Sequence, residues 1–209
     1  MIDLYTWTTP NGRKVSILLE ELGVEYQAHA INIGQDDQFA AEFLDIAPNN
    51  KIPAIVDRDN GLKLMESGAI MTYLAEKYGR FLPTEPEARA QANQWLMWQM
   101  AGFGPILGQT HHFLHYNAGK SAYAEERFFN EAKRLYGVLD QQLSKHDYIA
   151  GDYSIVDMAC WPWVSRYEWQ TIDLADFPNV RKWYQRIAER PAVQKGYHVP
   201  KYVTDIPSG

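Results

Sequence analysis

Cysteine is almost absent from this sequence. Cys160 is the single cysteine among 209 residues, so no disulfide can form within the chain. Disulfides persist in oxidising compartments and are rare in reducing ones, so the presence of only one cysteine favours a reducing compartment. The opening residues MIDLYTW lack the basic segment and apolar core of a secretory signal, and no apolar run is long enough to cross a bilayer. We therefore expect a cytoplasmic protein without a membrane partner.

Positive charge is also scarce. The chain has 20 Lys and Arg residues against 26 Asp and Glu, for a net charge of −6. A dedicated nucleic-acid-binding protein carries a basic excess that neutralises phosphates, so this class is disfavoured. Hydrophobic residues make up 46% of the chain and charged residues 22%, as in ordinary globular proteins. The negative net charge suits solubility and leaves the kind of partner open.

Strand and helix patterns alternate along the first part of the chain. Ile2 to Trp7 is a short apolar strand, and Tyr26 to Ile33 is a second one. The helix between them ends before Gly23, and its apolar face consists of Val15, Leu18, Leu19 and Leu22. A short helix from Phe39 to Asp45 follows the second strand.

A predicted hairpin and a third helix complete this region. Pro53 to Val56 and Leu62 to Met65 are strands joined by a turn at Asp59-Asn60-Gly61. Ser67 is predicted to cap a helix that ends at Gly79. The order β-α-β-α-β-β-α predicts an α/β domain over residues 1–80, with a mixed sheet of four strands.

Strand patterns are missing from the remainder of the chain. A proline-containing linker at residues 81–86 precedes helical segments that form an all-α domain over residues 87–199. Gly102, Gly104 and Pro105 are expected to loosen the first of these helices. Ser154 and Asp157 resemble a capping box at the start of a later, apolar helix. Residues 200–209 are predicted to be a surface tail.

One predicted helix start carries groups that could stabilise an anion. Thr9 is a favoured N-cap residue, and Pro10 suits the first helical position. The first N–H groups of a helix and its macrodipole stabilise an anion, and a thiol placed there has a lowered pKa. The Thr9 hydroxyl and the Asn11 amide can add hydrogen bonds to such an anion. Taken alone, these residues also make an ordinary helix cap.

An ordered set of three stretches resembles the glutathione transferase superfamily. The stretches are Thr8-Thr9-Pro10-Asn11-Gly12, Asn50-Lys51-Ile52-Pro53 and Glu66-Ser67-Gly68-Ala69-Ile70. Within the superfamily, Pro10 to Gly12, Pro48 to Pro53 and Ala159 to Trp163 look most like the bacterial Nu class and the related Ure2-like proteins. The resemblance implies a thioredoxin-like N-terminal domain, an all-helical C-terminal domain, and glutathione as co-substrate.

The resemblance also implies which residues act. Thr9 and Asn11 would be catalytic, stabilising the glutathione thiolate, because no cysteine lies on this loop. Ile52 would present its backbone to glutathione next to a cis Pro53. Glu66 and Ser67 would hold the γ-glutamyl end. The other family contacts matched by this sequence are Asn11, Gln38, Lys51 and Arg127, with Arg134 as a rival to Arg127.

Histidines in the helical region leave several alternatives open. Neutral imidazoles at His111 and His115 would share a helix face and could bind zinc, yet no carboxylate or cysteine nearby completes a ligand set. We therefore predict no metal, and instead a polar wall of a second-substrate cleft formed by His111, His112 and His115. Cys160 is expected to be a buried, inert thiol.

The resemblance implies a disulfide-bond reductase that uses bound glutathione rather than a protein cysteine. Two other activities remain open within the same family, namely conjugation of glutathione to electrophiles and reduction of organic peroxides. A non-catalytic glutathione-binding protein is a third alternative, as the Ure2-like likeness permits. The superfamily also implies a homodimer.

Overall fold

The computed structural model describes all 209 residues. They divide into two compact units, one formed by Met1–Leu82 with Glu189–Ile206 and the other by Pro83–Ala188 with Pro207–Gly209. None of the helices is both long and apolar enough to cross a membrane.

The first unit contains the predicted mixed sheet. Its strands are β1 (Ile2–Thr6), β2 (Tyr26–Ala30), β3 (Ala54–Asp57) and β4 (Leu62–Met65), arranged in the order β2-β1-β3-β4. β1 pairs in parallel with β2 and antiparallel with β3, and β3 pairs antiparallel with β4. The predicted α/β class with four strands is therefore confirmed, and the second strand is shorter than the sequence suggested.

Three α-helices accompany the sheet along the chain. They are α1 (Pro10–Leu22), α2 (Ala41–Leu44) and α3 (Ser67–Tyr78), and a 3₁₀ turn covers Asp37–Phe39 before α2. α1 and α3 end at Gly23 and Gly79, both in the left-handed conformation that glycine adopts readily. Leu4, Ile55, Leu18 and Leu74 are fully buried in the core of this unit.

The start of α3 differs from the sequence expectation. Ser67 is the first helical residue, and Glu66 is the N-cap residue, without a side-chain capping bond. The prediction that Ser67 caps the helix is therefore wrong. Ser67 is buried, and its Oγ accepts a hydrogen bond from Lys14 Nζ over 3.3 Å.

The last helix belongs to the first unit. α9 (Pro191–Tyr197) packs along α1, and the hydroxyl of Ser16 donates a hydrogen bond to the Gly196 carbonyl over 2.7 Å. Arg13 is buried beside it, where its Nε donates to the Tyr197 carbonyl over 3.0 Å. The boundary predicted at residue 199 thus differs from the structure, because these contacts join residues 189–206 to the first unit.

The second unit is all helical, as predicted. A long helical stretch comprises α4 (Pro86–Trp98) and α5 (Gly104–Thr110), with π-helical turns at Gln99–Phe103 and His111–Tyr116. The first π turn coincides with the glycine-rich segment where loosening was expected. The remaining elements are α6 (Ala122–Leu143), α7 (Ile155–Val164), α8 (Pro178–Ala188) and short 3₁₀ turns at Tyr167–Gln170 and Leu174–Asp176.

Asp157 organises the core of this unit. Its carboxylate accepts from the backbone N–H groups of Ile149 and Ser154, each over 3.0 Å, and from Trp183 Nε1 over 2.9 Å. The predicted capping box of Ser154 and Asp157 is present.

The chain end also packs on the second unit. The Tyr184 hydroxyl donates to the Pro207 carbonyl over 2.7 Å, and Arg181 Nε donates to the Gly209 carbonyl over 3.2 Å. Residues 201–205 of the predicted surface tail are exposed, and the last three residues make specific contacts with the second unit.

Candidate functional site

Thr9 caps α1 as predicted. Its Oγ1 accepts a hydrogen bond from the Gly12 backbone N–H over 3.2 Å, and its own extended backbone precedes Pro10 at the first helical position. The cap fixes where the helix begins, so Asn11 lies in the first turn. The positive end of the α1 macrodipole is therefore next to the Asn11 side chain.

The peptide bond between Ile52 and Pro53 is cis, as the resemblance implied. Pro53 is buried directly before β3, whereas Lys51 is exposed and Ile52 is half-buried. Asn50, two residues before Ile52, has a positive φ of 48°, a conformation that asparagine tolerates better than most residues. The loop thus presents Lys51 and Ile52 next to the start of a central strand.

Glu66 has an unusual backbone. Its φ of 70° and ψ of 112° lie outside the regions that L-residues prefer. Strained positions of this kind cost free energy and are concentrated at functional sites. The Glu66 carbonyl accepts from the Ile70 N–H over 2.9 Å, so the first turn of α3 helps to hold this conformation. No sequence signal indicated it.

These three segments meet in one cleft of about 170 Å³ in the first unit. The structure gathers five of the predicted residues there. The lining consists of Asn11, Asn49, Lys51, Ile52, Pro53, Met65, Glu66 and Ser67. Asn49 and Met65 were not predicted, since nothing in their local pattern separates them from ordinary turn and strand residues.

A buried lysine lies behind this cleft and was also missed. Lys14 is 2% exposed, and its Nζ donates to Ser67 Oγ over 3.3 Å. The available signal was its position on α1, four residues before Leu18, on the face that should be apolar.

Two predicted residues of the first unit are not among the lining residues. Thr9 is the N-cap of α1, and Gln38 lies in the 3₁₀ turn before α2. Gln38 Nε2 donates to Asp36 Oδ1 over 3.3 Å, whereas its Oε1 is buried and has no hydrogen-bond partner. A buried acceptor without a donor is costly, so this oxygen is suited to accept from a ligand.

Arg127 belongs to the second unit. Both Arg127 and its rival Arg134 are exposed on α6 and line a surface depression of about 620 Å³. Arg134 is held by Glu131, to which its Nε and Nη2 donate over 2.8 and 2.7 Å. A guanidinium with both donors directed at a carboxylate of its own helix is poorly placed to serve a ligand.

The three histidines have separate environments. His111 is 6% exposed, its Nε2 lies 3.1 Å from Gln170 Nε2, and its ring lies against Trp163 and Trp169. Burial, together with nearby Arg166, lowers the pKa of His111 to about 3. His115 stacks on Trp169, and His112 lies close to Asn117.

His111 is therefore a neutral core residue. This differs from the expected polar wall of a cleft, because its ring is enclosed by tryptophans. No cluster of three or more His, Cys, Asp or Glu side chains is arranged to hold a metal ion. Cys160 is completely buried in α7, as expected for a thiol that packs in the core.

A thioredoxin-like sheet with a cis-proline cleft, followed by an all-helical unit, defines the class of glutathione transferase folds. The family models agree with the geometry. The N-terminal domain of glutathione S-transferase matches residues 1–76, and the C-terminal domain matches residues 100–191. The chain belongs to the glutathione transferase superfamily.

Individual relatives support this assignment. The disulfide-bond oxidoreductase YfcG of Escherichia coli is 51% identical over 198 residues, which cover 92% of each chain. A glutathione transferase structure from Pseudomonas putida, with one glutathione disulfide bound per subunit, has a TM-score of 0.89 and 44% identity, covering 95% of this chain and 91% of that chain.

The Ure2-like part of the resemblance is confirmed as well. Protein URE2 of Eremothecium gossypii is 32% identical over 229 residues, which cover 90% of this chain and 65% of that protein. The assignment to the Nu class within the superfamily stays a prediction.

Proposed function

We propose that this protein is a glutathione-dependent disulfide-bond oxidoreductase. The observation that carries the proposal is the single cleft where the start of α1, the cis Ile52–Pro53 bond and the start of α3 meet. The polar side chains that line it are two amides, a hydroxyl, a carboxylate and an ammonium group, and the chain's one cysteine is buried in the other unit. The reactive sulfur therefore comes from the ligand.

Each part of the cleft matches one part of glutathione. Ile52 lines the cleft, and its backbone faces the peptide portion, as the family resemblance implies. Ser67 and the first N–H groups of α3 bind the γ-glutamyl carboxylate, and Glu66 accepts from the ammonium group. The exposed ammonium of Lys51 pairs with the glycyl carboxylate.

Thr9 and Asn11 act on the thiol. Thr9 fixes the first turn of α1, and its hydroxyl hydrogen can donate to sulfur while its oxygen accepts from Gly12. The Asn11 amide and the α1 macrodipole stabilise the thiolate, which raises the fraction of reactive sulfur at neutral pH. In this role the protein supplies electrostatics and orientation, and the bound tripeptide supplies the nucleophile.

The reaction has two exchanges. The bound glutathione thiolate attacks one sulfur of the substrate disulfide, forming a mixed disulfide and releasing the other sulfur as a thiolate that takes up a proton. A second glutathione thiolate then attacks the glutathionyl sulfur of the mixed disulfide, giving glutathione disulfide and the second substrate thiol. Overall, two glutathiones are oxidised and one substrate disulfide is reduced.

Gln38 and Arg127 are proposed as further glutathione contacts. For Gln38 the support is its buried Oε1, which lacks a hydrogen-bond partner. For Arg127 the support is comparative, since Arg134 is already held by Glu131. Arg127→Ala should therefore weaken glutathione binding, and Arg134→Ala should leave it unchanged, in isothermal titration calorimetry.

The activity is tested with purified protein, glutathione and 2-hydroxyethyl disulfide. Formation of glutathione disulfide is followed through NADPH consumption by added glutathione reductase. Thr9→Ala and Asn11→Ala should each lower kcat at least ~10-fold, since each removes a donor to the developing thiolate. The exposed Thr84, which precedes α4, provides a matched control in Thr84→Ala.

The alternatives have distinct outcomes in the same assay format. An aryl halide and an organic peroxide are supplied in place of the disulfide. Faster turnover of either compound would replace the proposal with conjugation or peroxide reduction. Tight glutathione binding without turnover of any of the three would indicate a binding protein.

We propose in addition that the protein is a cytoplasmic homodimer. Support comes from large apolar side chains that remain exposed on the helical unit, with Met97 55% and Tyr123 75% exposed. Such side chains are enriched at subunit interfaces. Light scattering coupled to size-exclusion chromatography measures the mass, and a monomer at micromolar concentration would contradict the proposal.

A further inference from the structure

Lys14 is a buried cation immediately behind the cleft. It lies on α1 with 2% of its surface exposed, and its Nζ is 3.3 Å from the hydroxyl oxygen of Ser67 at the start of α3. Burying an ammonium group is costly unless polar or charged groups compensate it. A methionine or leucine would fill the same volume without this cost, so the charge calls for an explanation.

The contact constrains the Ser67 hydroxyl. An ammonium group has only donor hydrogens, so the Ser67 oxygen accepts in this bond. Because Ser67 also lines the cleft, Lys14 holds in place a side chain that a ligand there would meet.

Two positive potentials converge on the same point. The N-terminus of α3 begins at Ser67, and its first N–H groups attract anions. The Lys14 charge lies in direct contact with that residue in a region shielded from water, where electrostatic interactions are strong. This end of the cleft is therefore built for a carboxylate.

The neighbouring cation has a different task. Arg13 is also buried, but its guanidinium lies 3.4 Å from the centre of the Tyr197 ring and its Nε donates to the Tyr197 carbonyl. Arg13 thus joins α1 to α9, whereas Lys14 joins α1 to a residue of the cleft. The charge at position 14 therefore lies against a residue that lines the cleft.

We infer that Lys14 is a positioning residue that orients Ser67 toward the α-carboxylate of the γ-glutamyl group and selects ligands that carry it. This inference rests on the proposed binding of glutathione. It adds a specificity determinant that does not touch the ligand and acts through Ser67.

The test is a binding comparison on the full-length protein by isothermal titration calorimetry. One ligand is glutathione, and the other is γ-aminobutyryl-cysteinylglycine, which is glutathione without the γ-glutamyl α-carboxylate. Lys14→Met should weaken glutathione binding about 10-fold and change binding of the second peptide less than about 2-fold. The exposed Lys63, paired with Asp45, serves as the control in Lys63→Met.

Ser67→Ala gives an independent arm. Like Lys14→Met, it should reduce the preference for the peptide that has the α-carboxylate. The double variant should bind glutathione no more weakly than Ser67→Ala alone, because both substitutions break the same chain of contacts. If thermal melting shows that Lys14→Met is unfolded, Lys14→Gln takes its place, because glutamine keeps a hydrogen-bond donor but removes the charge. The preference of Lys14→Gln for glutathione over the second peptide should lie between those of the wild type and Ser67→Ala.

The outcomes separate the two proposals. Three results would each overturn the role of Lys14. They are equal weakening of the binding of both peptides by Lys14→Met, additive losses of affinity in the double variant, and an unchanged preference for glutathione in Ser67→Ala. Wild-type protein that binds glutathione but reduces no disulfide would overturn the enzymatic proposal and leave the Lys14 result valid. Wild-type protein that binds neither peptide would overturn both.

Discussion

A Cβ atom on Gly12 would lie 2.2 Å from the carbonyl oxygen of Trp7 and 2.5 Å from Oγ1 of Thr6. The first turn of α1 therefore touches the end of β1 and the loop that follows it, with no room for a side chain. This close approach fixes the position of the helix start, and with it the position of Asn11 in the cleft.

Gly12→Ala should destabilise the protein and weaken glutathione binding. The methyl group would collide with backbone atoms that cannot move aside, so the start of α1 must shift. Overpacking of this kind costs about 1–3 kcal/mol. Urea denaturation measures the change in the free energy of unfolding, and calorimetry measures the affinity for glutathione.

Gly137→Ala is the matched control for that substitution. Gly137 lies inside α6, and a Cβ there would meet nothing within 4 Å. Alanine has a higher helix propensity than glycine, so this variant should gain about 0.5–1 kcal/mol in the free energy of unfolding. Destabilisation by both substitutions would contradict the steric explanation for Gly12.

Gly196→Ala should loosen the C-terminal helix from α1. A Cβ on Gly196 would lie 2.6 Å from Ile17 Cα and 2.7 Å from Ile17 N, in the place where Ser16 bonds to the Gly196 carbonyl. The two helices must separate to admit a methyl group. Hydrogen exchange should become faster in residues 191–197, and unchanged protection there would disprove the close contact.

Thr9→Val should lower stability by about 1 kcal/mol, the usual value of an N-cap side chain. Valine has the shape of threonine but cannot accept the bond from the Gly12 N–H. Thr9→Ser retains the oxygen and should retain most of the stability and the disulfide reductase rate. Chemical denaturation and the coupled assay together check this pair, and equal behaviour of Val and Ser would exclude the hydroxyl from both roles.

Acid should destabilise the protein through His111. The pKa of this buried imidazole is lowered from 6.5 to about 3, so the unfolded chain binds a proton that the folded chain rejects over this range. Stability is therefore unaffected above pH 6.5 and falls as the pH decreases below it, by about 2 kcal/mol at pH 5.

His111→Gln should remove this part of the pH dependence. A glutamine oxygen can still accept from Gln170 Nε2, which lies 3.1 Å from the imidazole nitrogen in the native protein. The exposed His146 is the control, and His146→Gln should keep the wild-type slope of stability against pH. An identical slope in His111→Gln and the wild type would contradict the assignment.

Local rules let the sequence predict the element order and several element ends. Thr9 at the start of α1, the glycines that end α1 and α3, and the capping box at Ser154 are correct in the structure. Each depends on contacts within about four residues along the chain, which residue type alone can specify. The ordered motifs identified the superfamily and named five residues of the cleft.

Tertiary structure decided the remaining features. Lys14 and Ser67 are separated by 53 positions, and only the packing of α1 against α3 brings them together. Likewise, the burial of His111 and the return of α9 to the first unit depend on distant segments. The sequence by itself determined the family, several helix ends and the need for a ligand thiol. Long-range packing determined which polar groups are buried, because burial depends on neighbours that local patterns do not encode.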